Sequence, residues 1–320
     1  MILDLADVQQ AALRLEPVVH RTPVFRSRQL DARAGSELYL KAECLQRAGA
    51  FKIRGAYNKL ATLEPRERAR GVVSYSSGNH AQGVALAAQL FGVPATIFVP
   101  ETILPVKRAA TEAYGARIVL AGTTTEDREK AALEAAGKEG WAVVPPYDDP
   151  DVMAGQGTVA LELLQEVPDL DVIVAPIGGG GLMAGCAVAA RGLAPRIRVV
   201  GVESEDANDT WQSLRAGHRV RIPPPQTIAD GIRALQPGEL TFEVMRELVD
   251  EVVLVSDAEI VAAMRLLLER AKLLVEPTGA VALAALLFGR VPAARGRRVG
   301  IVLSGGNVDL ATLGTILGQG

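Results

Sequence analysis

Lys52 sits in the run Gly49-Ala50-Phe51-Lys52-Ile53-Arg54-Gly55-Ala56, an amine among apolar neighbours just before a helical stretch. Burial in such surroundings disfavours the ammonium form and leaves a neutral, nucleophilic amine. A lysine at a helix start is otherwise a solvated charge, and this segment alone leaves both readings open. Pro176-Ile177-Gly178-Gly179-Gly180-Gly181-Leu182 closes an apolar strand and opens a helix. Four glycines leave backbone N–H groups free to surround a phosphate, and the helix dipole adds favourable potential. A plain strand–helix turn needs only one or two. The glycine spacing is not that of the dinucleotide fingerprint, although Glu203 ends the next strand and keeps a dinucleotide open on this segment alone. No Gly-Lys-Ser/Thr follows, which excludes a P-loop.

Ser74-Tyr75-Ser76-Ser77-Gly78-Asn79-His80-Ala81-Gln82-Gly83 is a third strand end running into a helix. Hydroxyls and an amide beside unpaired helix N–H groups suit a carboxylate, whereas a simple N-cap would use only Ser77 or Asn79. In Val302-Leu303-Ser304-Gly305-Gly306-Asn307 a lone hydroxyl ends a buried strand. All four segments fall at C-terminal strand ends, where ligands bind in open α/β sheets. Together they offer an amine, a phosphate cup, an anion site and a hydroxyl. Pyridoxal 5′-phosphate (PLP), with its aldehyde, phosphate and ring nitrogen, uses all four.

The elements that must position these residues alternate along the whole chain, as in a parallel sheet covered by helices. Strands are expected at Glu37–Lys41, Gly71–Ser76, Ala95–Pro100, Arg117–Ala121, Trp141–Pro145, Asp171–Pro176, Arg198–Glu203, Glu251–Val255 and Arg298–Leu303. Helical patterns cover Ala81–Phe91, Val106–Tyr114, Thr125–Gly140, Gly157–Glu166 and Asp257–Lys272, the last with a capping box at Ser256 and Glu259. The run from Gly71 to Pro146 is a complete set of strand–helix units, followed by the turn-rich Tyr147-Asp148-Asp149-Pro150-Asp151. It suggests a lobe of its own. His218–Gly238 has no clear periodicity and reads as a long functional loop.

Composition narrows the class. Lys and Arg number 34 against 37 Asp and Glu, a scattered net charge of −3 that calls for neither nucleic acid nor an acidic membrane surface. Cys44 and Cys186 cannot make a disulfide framework, which fits a reducing cytoplasm. Charges at Asp4, Asp7, Arg14 and Glu16 make Met1–Val19 an amphipathic helix rather than a signal peptide. No apolar run nears the roughly 20 residues of a membrane span. A soluble cytoplasmic enzyme acting on a small molecule is expected.

The chain resembles the threonine dehydratase and serine racemase branch of the fold-type-II (tryptophan-synthase-like) PLP enzymes. The residues carrying the resemblance, in order, are His20-Arg21-Thr22-Pro23-Val24, Glu43, Phe51 to Ala56, Ser77-Gly78-Asn79-His80, Gly155-Gln156-Gly157-Thr158, the tetraglycine loop, Thr227-Ile228-Ala229-Asp230-Gly231, Glu276-Pro277 and Ser304 to Asn307. That fold implies two open, twisted, mostly parallel sheets flanked by helices, with the active site between two lobes: a small mobile domain, 66–149, closing on a large PLP-binding domain of 1–65 plus 150–320. The resemblance makes Lys52 the residue that holds the cofactor covalently and acts as base. Phe51 and Gly231 would flank the ring, Asn79 would bond its O3′ oxygen, and Ser304 would face its nitrogen. Gly178, Gly179, Gly180, Gly181 and Leu182 would bind the phosphate. Ser76, Ser77, Asn79 and His80 would take the substrate carboxylate, with Arg128 a further contact on closure. Glu203, Asp209 and the Ala207 carbonyl resemble a cation site, and oxygen ligands suit Mg²⁺ or Ca²⁺. A homo-oligomer, dimer or tetramer, is expected.

Three departures refine this. Ala50 replaces a common Ser. Ser77 stands where dedicated threonine dehydratases commonly have Ala and serine racemases have Ser as a second acid/base, while Ala234 replaces a substrate-touching Ser of the mammalian-type racemase, which points back towards the dehydratases. The chain ends at Gly320, so the regulatory domain of isoleucine-inhibited dehydratases is expected to be missing. A neutral Ser304 opposite the ring nitrogen makes the ring a weak electron sink, which favours β-elimination over transamination. The expected reaction is dehydration and deamination of L-threonine or L-serine to a 2-oxo acid and ammonia. The alternatives are serine racemisation, or dehydration of 3-hydroxyaspartate, with Ser77 on the second face. Cysteine-synthase-type β-replacement matches the motifs less well. A non-catalytic PLP carrier would not need the carboxylate loop, and a nicotinamide oxidoreductase would not need the lysine.

Overall fold

The computed structural model of the protein describes residues 2–318. Met1, where the expected N-terminal helix begins, and the chain end at Gly320 lie outside them. Among the described residues ten strands are present: β1 Val24–Phe25, β2 Glu37–Ala42, β3 Val72–Tyr75, β4 Ala95–Val99, β5 Arg117–Leu120, β6 Ala142–Val143, β7 Val172–Pro176, β8 Arg198–Ser204, β9 Glu251–Val255 and β10 Arg298–Leu303. They form a six-stranded sheet in the order β1-β2-β10-β7-β8-β9 and a four-stranded sheet in the order β5-β4-β3-β6. Every pairing is parallel except β1 with β2. The chain therefore has the α/β fold with parallel sheets flanked by helices that its alternating pattern implies.

The apolar strands follow from burial on both faces. Val172, Val174, Val200, Val202, Val299, Ile301 and Leu303 point to one side of the large sheet, onto the helix Pro277–Leu287. Ile173, Ala175, Val199 and Val302 alternate to the other side, onto the helices Leu5–Leu15, Pro150–Glu166 and Gly181–Leu193. In the small sheet Val72, Ile97 and Val99 face the helices Lys52–Thr62 and Asn79–Phe91, while Val73 and Phe98 face Thr125–Glu139. The helix Lys52–Thr62 is wedged between Asn79–Phe91 and Pro150–Glu166, so the Lys52 segment joins the packing of both sheets.

Several boundaries differ from the sequence pattern for physical reasons. The strand expected at Trp141–Pro145 pairs only through Ala142 and Val143, because the chain then turns into Pro145-Pro146. The last two residues of the expected polar crossover, Pro150 and Asp151, are helical. Asp149 caps Val152 N–H and Pro150 takes the first helical position, so Pro150–Glu166 starts seven residues before the expected Gly157. The capping box at Ser256 and Glu259 forms, but the helix closes as Asp257–Leu266 and continues as a π turn, Leu267–Ala271. Strand β1 escaped notice because two residues carry no period. Among the described residues no helix is long and apolar enough to cross a membrane.

Candidate active site

The C-terminal ends of β3, β7 and β10 face one cavity of about 440 Å³. Lys52, the first residue of its helix, reaches into it with Nζ 2.7 Å from the Pro146 carbonyl oxygen and 5.1 Å from the Phe51 ring centre. Burial pulls its amine down to about 8. The Phe51 N–H donates to the Ser304 carbonyl at 3.1 Å, and Ala50 bridges Gly305, so the lysine segment is tied to the end of β10. Ser304 Oγ is buried and has no partner among the described residues.

Across the cavity, Gly178 to Gly181 turn β7 into the helix Gly181–Leu193, whose first N–H groups have no intrahelical partners. Only glycine fits this loop. Gly180 has φ of 97°, and a Cβ on Gly179 would lie 2.3 Å from the Tyr147 ring. The Gly179 carbonyl is held by Thr241 Oγ1 at 2.7 Å, and Gly231 is held through its N–H by Thr278 Oγ1 at 3.0 Å. Leu182, Gly231, Ser76 and Ser77 line the same cavity.

Asn79 and His80 begin the helix Asn79–Phe91 at the end of β3. Asn79 Nδ2 donates to Glu276 Oε1 at 2.7 Å. The His80 imidazole instead contacts the Val144 carbonyl at 3.0 Å, and burial next to Lys52 drives it down to about 3. It is a neutral ring turned to the sheet, and what it offers an anion is its backbone N–H at the helix start. Arg128 projects from Thr125–Glu139 into the cavity and donates to Thr125 Oγ1 at 3.0 Å, while its Nε is buried without a partner. That desolvation lowers its affinity for a proton.

Glu203 and Asp209 lie apart from this cavity, at the end of β8. Glu203 accepts from the Thr210 and Trp211 N–H groups, at 3.0 and 2.7 Å. Both Asp209 carboxylate oxygens are buried without partners, and Ala207 forms a bridge with Ser204. Burial and mutual repulsion push Glu203 upward, and burial pushes Asp209 up to about 7. Two desolvated carboxylates, one of them with both oxygens unpartnered, suit a cation.

Sequence reasoning missed three groups. Arg54, fully buried two residues after Lys52, holds Glu43 at 2.8 and 2.9 Å, Glu162 at 2.6 and 2.9 Å, and Thr158 at 3.1 Å; Lys41 joins through Glu162 at 2.6 Å. Thr22 also bonds Glu43. The scattered motifs at Thr22, Glu43 and Thr158 thus converge on one guanidinium. Glu276 lines the cavity, and burial and Asp230 raise it to about 8. At the rim, Lys107 pairs with Asp230 and Arg221 with Glu126, each linking the small-sheet segment to the long loop.

A family model described as pyridoxal-phosphate dependent enzyme matches residues 15–305. The L-threo-3-hydroxyaspartate ammonia-lyase of Saccharomyces cerevisiae is 49% identical over 97% of this chain and 95% of its own length. The L-threonine ammonia-lyase of Thermotoga maritima is 46% identical over 100% of this chain and 79% of its own. The structure of maize serine racemase superposes with a TM-score of 0.95 at 44% identity, covering 98% of this chain and 97% of that one. With a matched segment that includes the lysine helix, the glycine cup and the orphan serine, the chain belongs to the pyridoxal-phosphate-dependent enzymes, and within them to fold type II.

Proposed function

We propose that the protein is an ammonia-lyase that dehydrates and deaminates 3-hydroxy amino acids, with 3-hydroxyaspartate preferred over L-threonine and L-serine. The reading of the cofactor site rests on the unpartnered Ser304 hydroxyl and the glycine cup facing one buried amine. Lys52 would hold PLP covalently, Gly178 to Leu182 its phosphate, and Asn79 its ring oxygen; Phe51 and Gly231 would flank the ring and Ser304 would face its nitrogen. The bound cofactor supplies an electron sink at the substrate Cα. Lys52, near neutral pH an amine of lowered basicity, serves as the base for the Cα proton. Ser76, Ser77 and the N–H groups of Asn79 and His80 hold the α-carboxylate at a helix N-terminus.

The substrate preference rests on Arg128. With the α-carboxylate on the Ser76–His80 loop, a half-buried guanidinium with an orphaned Nε remains in the same cavity, and a second substrate carboxylate would pair with it. The yeast relative, an L-threo-3-hydroxyaspartate ammonia-lyase, agrees with that choice. Ser77, in the same cavity, supports serine racemisation as a side activity. We also assign Glu203, the Ala207 carbonyl and Asp209 to Mg²⁺ or Ca²⁺, supported by the partnerless Asp209 oxygens. The small segment 66–149 would close on the remainder. The deciding experiment incubates the holoprotein with L-Thr, L-Ser, D-Ser and both 3-hydroxyaspartate diastereomers, assaying 2-oxo acid and enantiomer separately. Higher kcat/KM for threonine than for either diastereomer would reject the preference, and release of no 2-oxo acid from any of them would reject the lyase.

A further inference from the structure

Asn79 does not lie loose in the cavity; a chain of hydrogen bonds runs behind it. Asn307 Nδ2 donates to the Ala48 carbonyl at 2.7 Å and to Asn79 Oδ1 at 2.9 Å, while Asn79 Nδ2 donates to Glu276 Oε1 at 2.7 Å. The direction of this chain follows from its first link. A backbone carbonyl only accepts, so the Asn307 atom facing Ala48 must be its NH₂. The same NH₂ then presents its second hydrogen to Asn79, whose facing atom must be oxygen. The Asn79 NH₂ is thereby placed on the opposite side, with one hydrogen on Glu276 and one left over.

Glu276 alone could not impose this. A buried carboxyl raised to about 8 carries its proton at neutral pH and can donate as well as accept, so it would tolerate either orientation of Asn79. The determinant is Asn307, and the fold makes room for it. A Cβ on Gly49 would lie 2.3 Å from Asn307 Oδ1, and Ala48 holds its carbonyl from a left-handed φ of 56° that L residues rarely adopt.

We propose that Asn307, oriented by the Ala48 carbonyl, is a positioning residue that locks the Asn79 amide so that its remaining N–H faces the cofactor's ring oxygen. The inference rests on Asn79 being the partner of that oxygen. A donated N–H favours the ionised ring oxygen, and an amide turned the other way presents a lone pair there instead.

The test uses holoprotein carrying Asn307→Asp, whose carboxylate cannot donate to Ala48 or to Asn79 and so turns the Asn79 amide round. The expected result is a visible cofactor band that loses intensity to a near-ultraviolet band as the ring oxygen regains its proton. PLP retention on dialysis should weaken by roughly ten- to a hundredfold, the worth of a hydrogen bond to a charged group. Borohydride labelling of Lys52 is run beside it. An unchanged band ratio in a labelled Asn307→Asp protein overturns the relay, whereas failure to label wild-type Lys52 overturns the cofactor site itself. If Asn307→Asp does not fold, Asn307→Ala, which removes the donor to both Ala48 and Asn79 without adding a charge, is read in its place. A shift toward the near-ultraviolet band supports the relay, and an unchanged band ratio in the labelled protein overturns it.

Discussion

Lys52 Nζ donates to the Pro146 carbonyl, 94 residues away, so the reactive amine is held by the chain segment that leaves the four-stranded sheet. That contact parks the amine inside the cavity, and under the proposed function Lys52→Ala would remove both anchor and base. The variant should show no borohydride-stable cofactor adduct and should lose more than the roughly 10²–10⁴-fold a general base contributes alone. Wild-type 2-oxo acid release by Lys52→Ala would discard the assignment.

The same amine predicts a pH profile for cofactor uptake. Only the neutral amine attacks an aldehyde, and burial lowers its pKa to about 8. Uptake of PLP by the apoprotein should therefore rise roughly tenfold per pH unit below that value and level off above it. A rate still climbing steeply toward the ordinary lysine value of 10.5 would show an amine in water.

Arg128→Met separates the substrates. Losing a charge-assisted hydrogen bond is worth about 1.5–3 kcal/mol, so kcat/KM for 3-hydroxyaspartate should fall roughly ten- to a hundredfold, with a much smaller loss for L-threonine. Equal losses for both would return Arg128 to the α-carboxylate they share.

Ser77→Ala tests the second face. Racemisation needs a proton donor on each side of Cα, and Lys52 serves one. The variant should lose racemase activity by roughly 10²–10⁴-fold while deaminating L-substrates at nearly the wild-type rate. Racemisation that persists would mean another donor.

The cation assignment predicts that chelation lowers the thermal midpoint and that Mg²⁺ or Ca²⁺ restores it, by about 2.7 kcal/mol at a hundredfold excess over Kd. Asp209→Asn should abolish the response. A midpoint indifferent to chelator in the wild-type protein leaves an ordinary pair of buried acids.

What could be read before any coordinates was whatever one short segment carries in its residue types. Lys52 among apolar neighbours, the glycine cup and Ser304 at a strand end are local patterns, and all three line one cavity. Convergence was not readable. Glu43, Thr158 and Glu162 meet at Arg54, with Thr22 behind Glu43, only because distant segments pack there, and no spacing encodes it. Asn307 carries a motif but shows its work only beside Ala48 and Asn79. His80 misleads by type, since an imidazole suggests a ligand until the Val144 carbonyl claims it. Asp149-Pro150 reads equally as a turn or as a cap with proline at the first helical position, and packing of the following helix decides.

The guanidinium of Arg54 is satisfied entirely by protein groups, two residues from Lys52 and without help from any ligand. The platform beneath the amine is thus assembled in the apoprotein, a socket rather than a mould. Cofactor is therefore expected to leave and return without the helix Lys52–Thr62 unwinding, and its amides should exchange with deuterium as slowly in the stripped protein as in the loaded one.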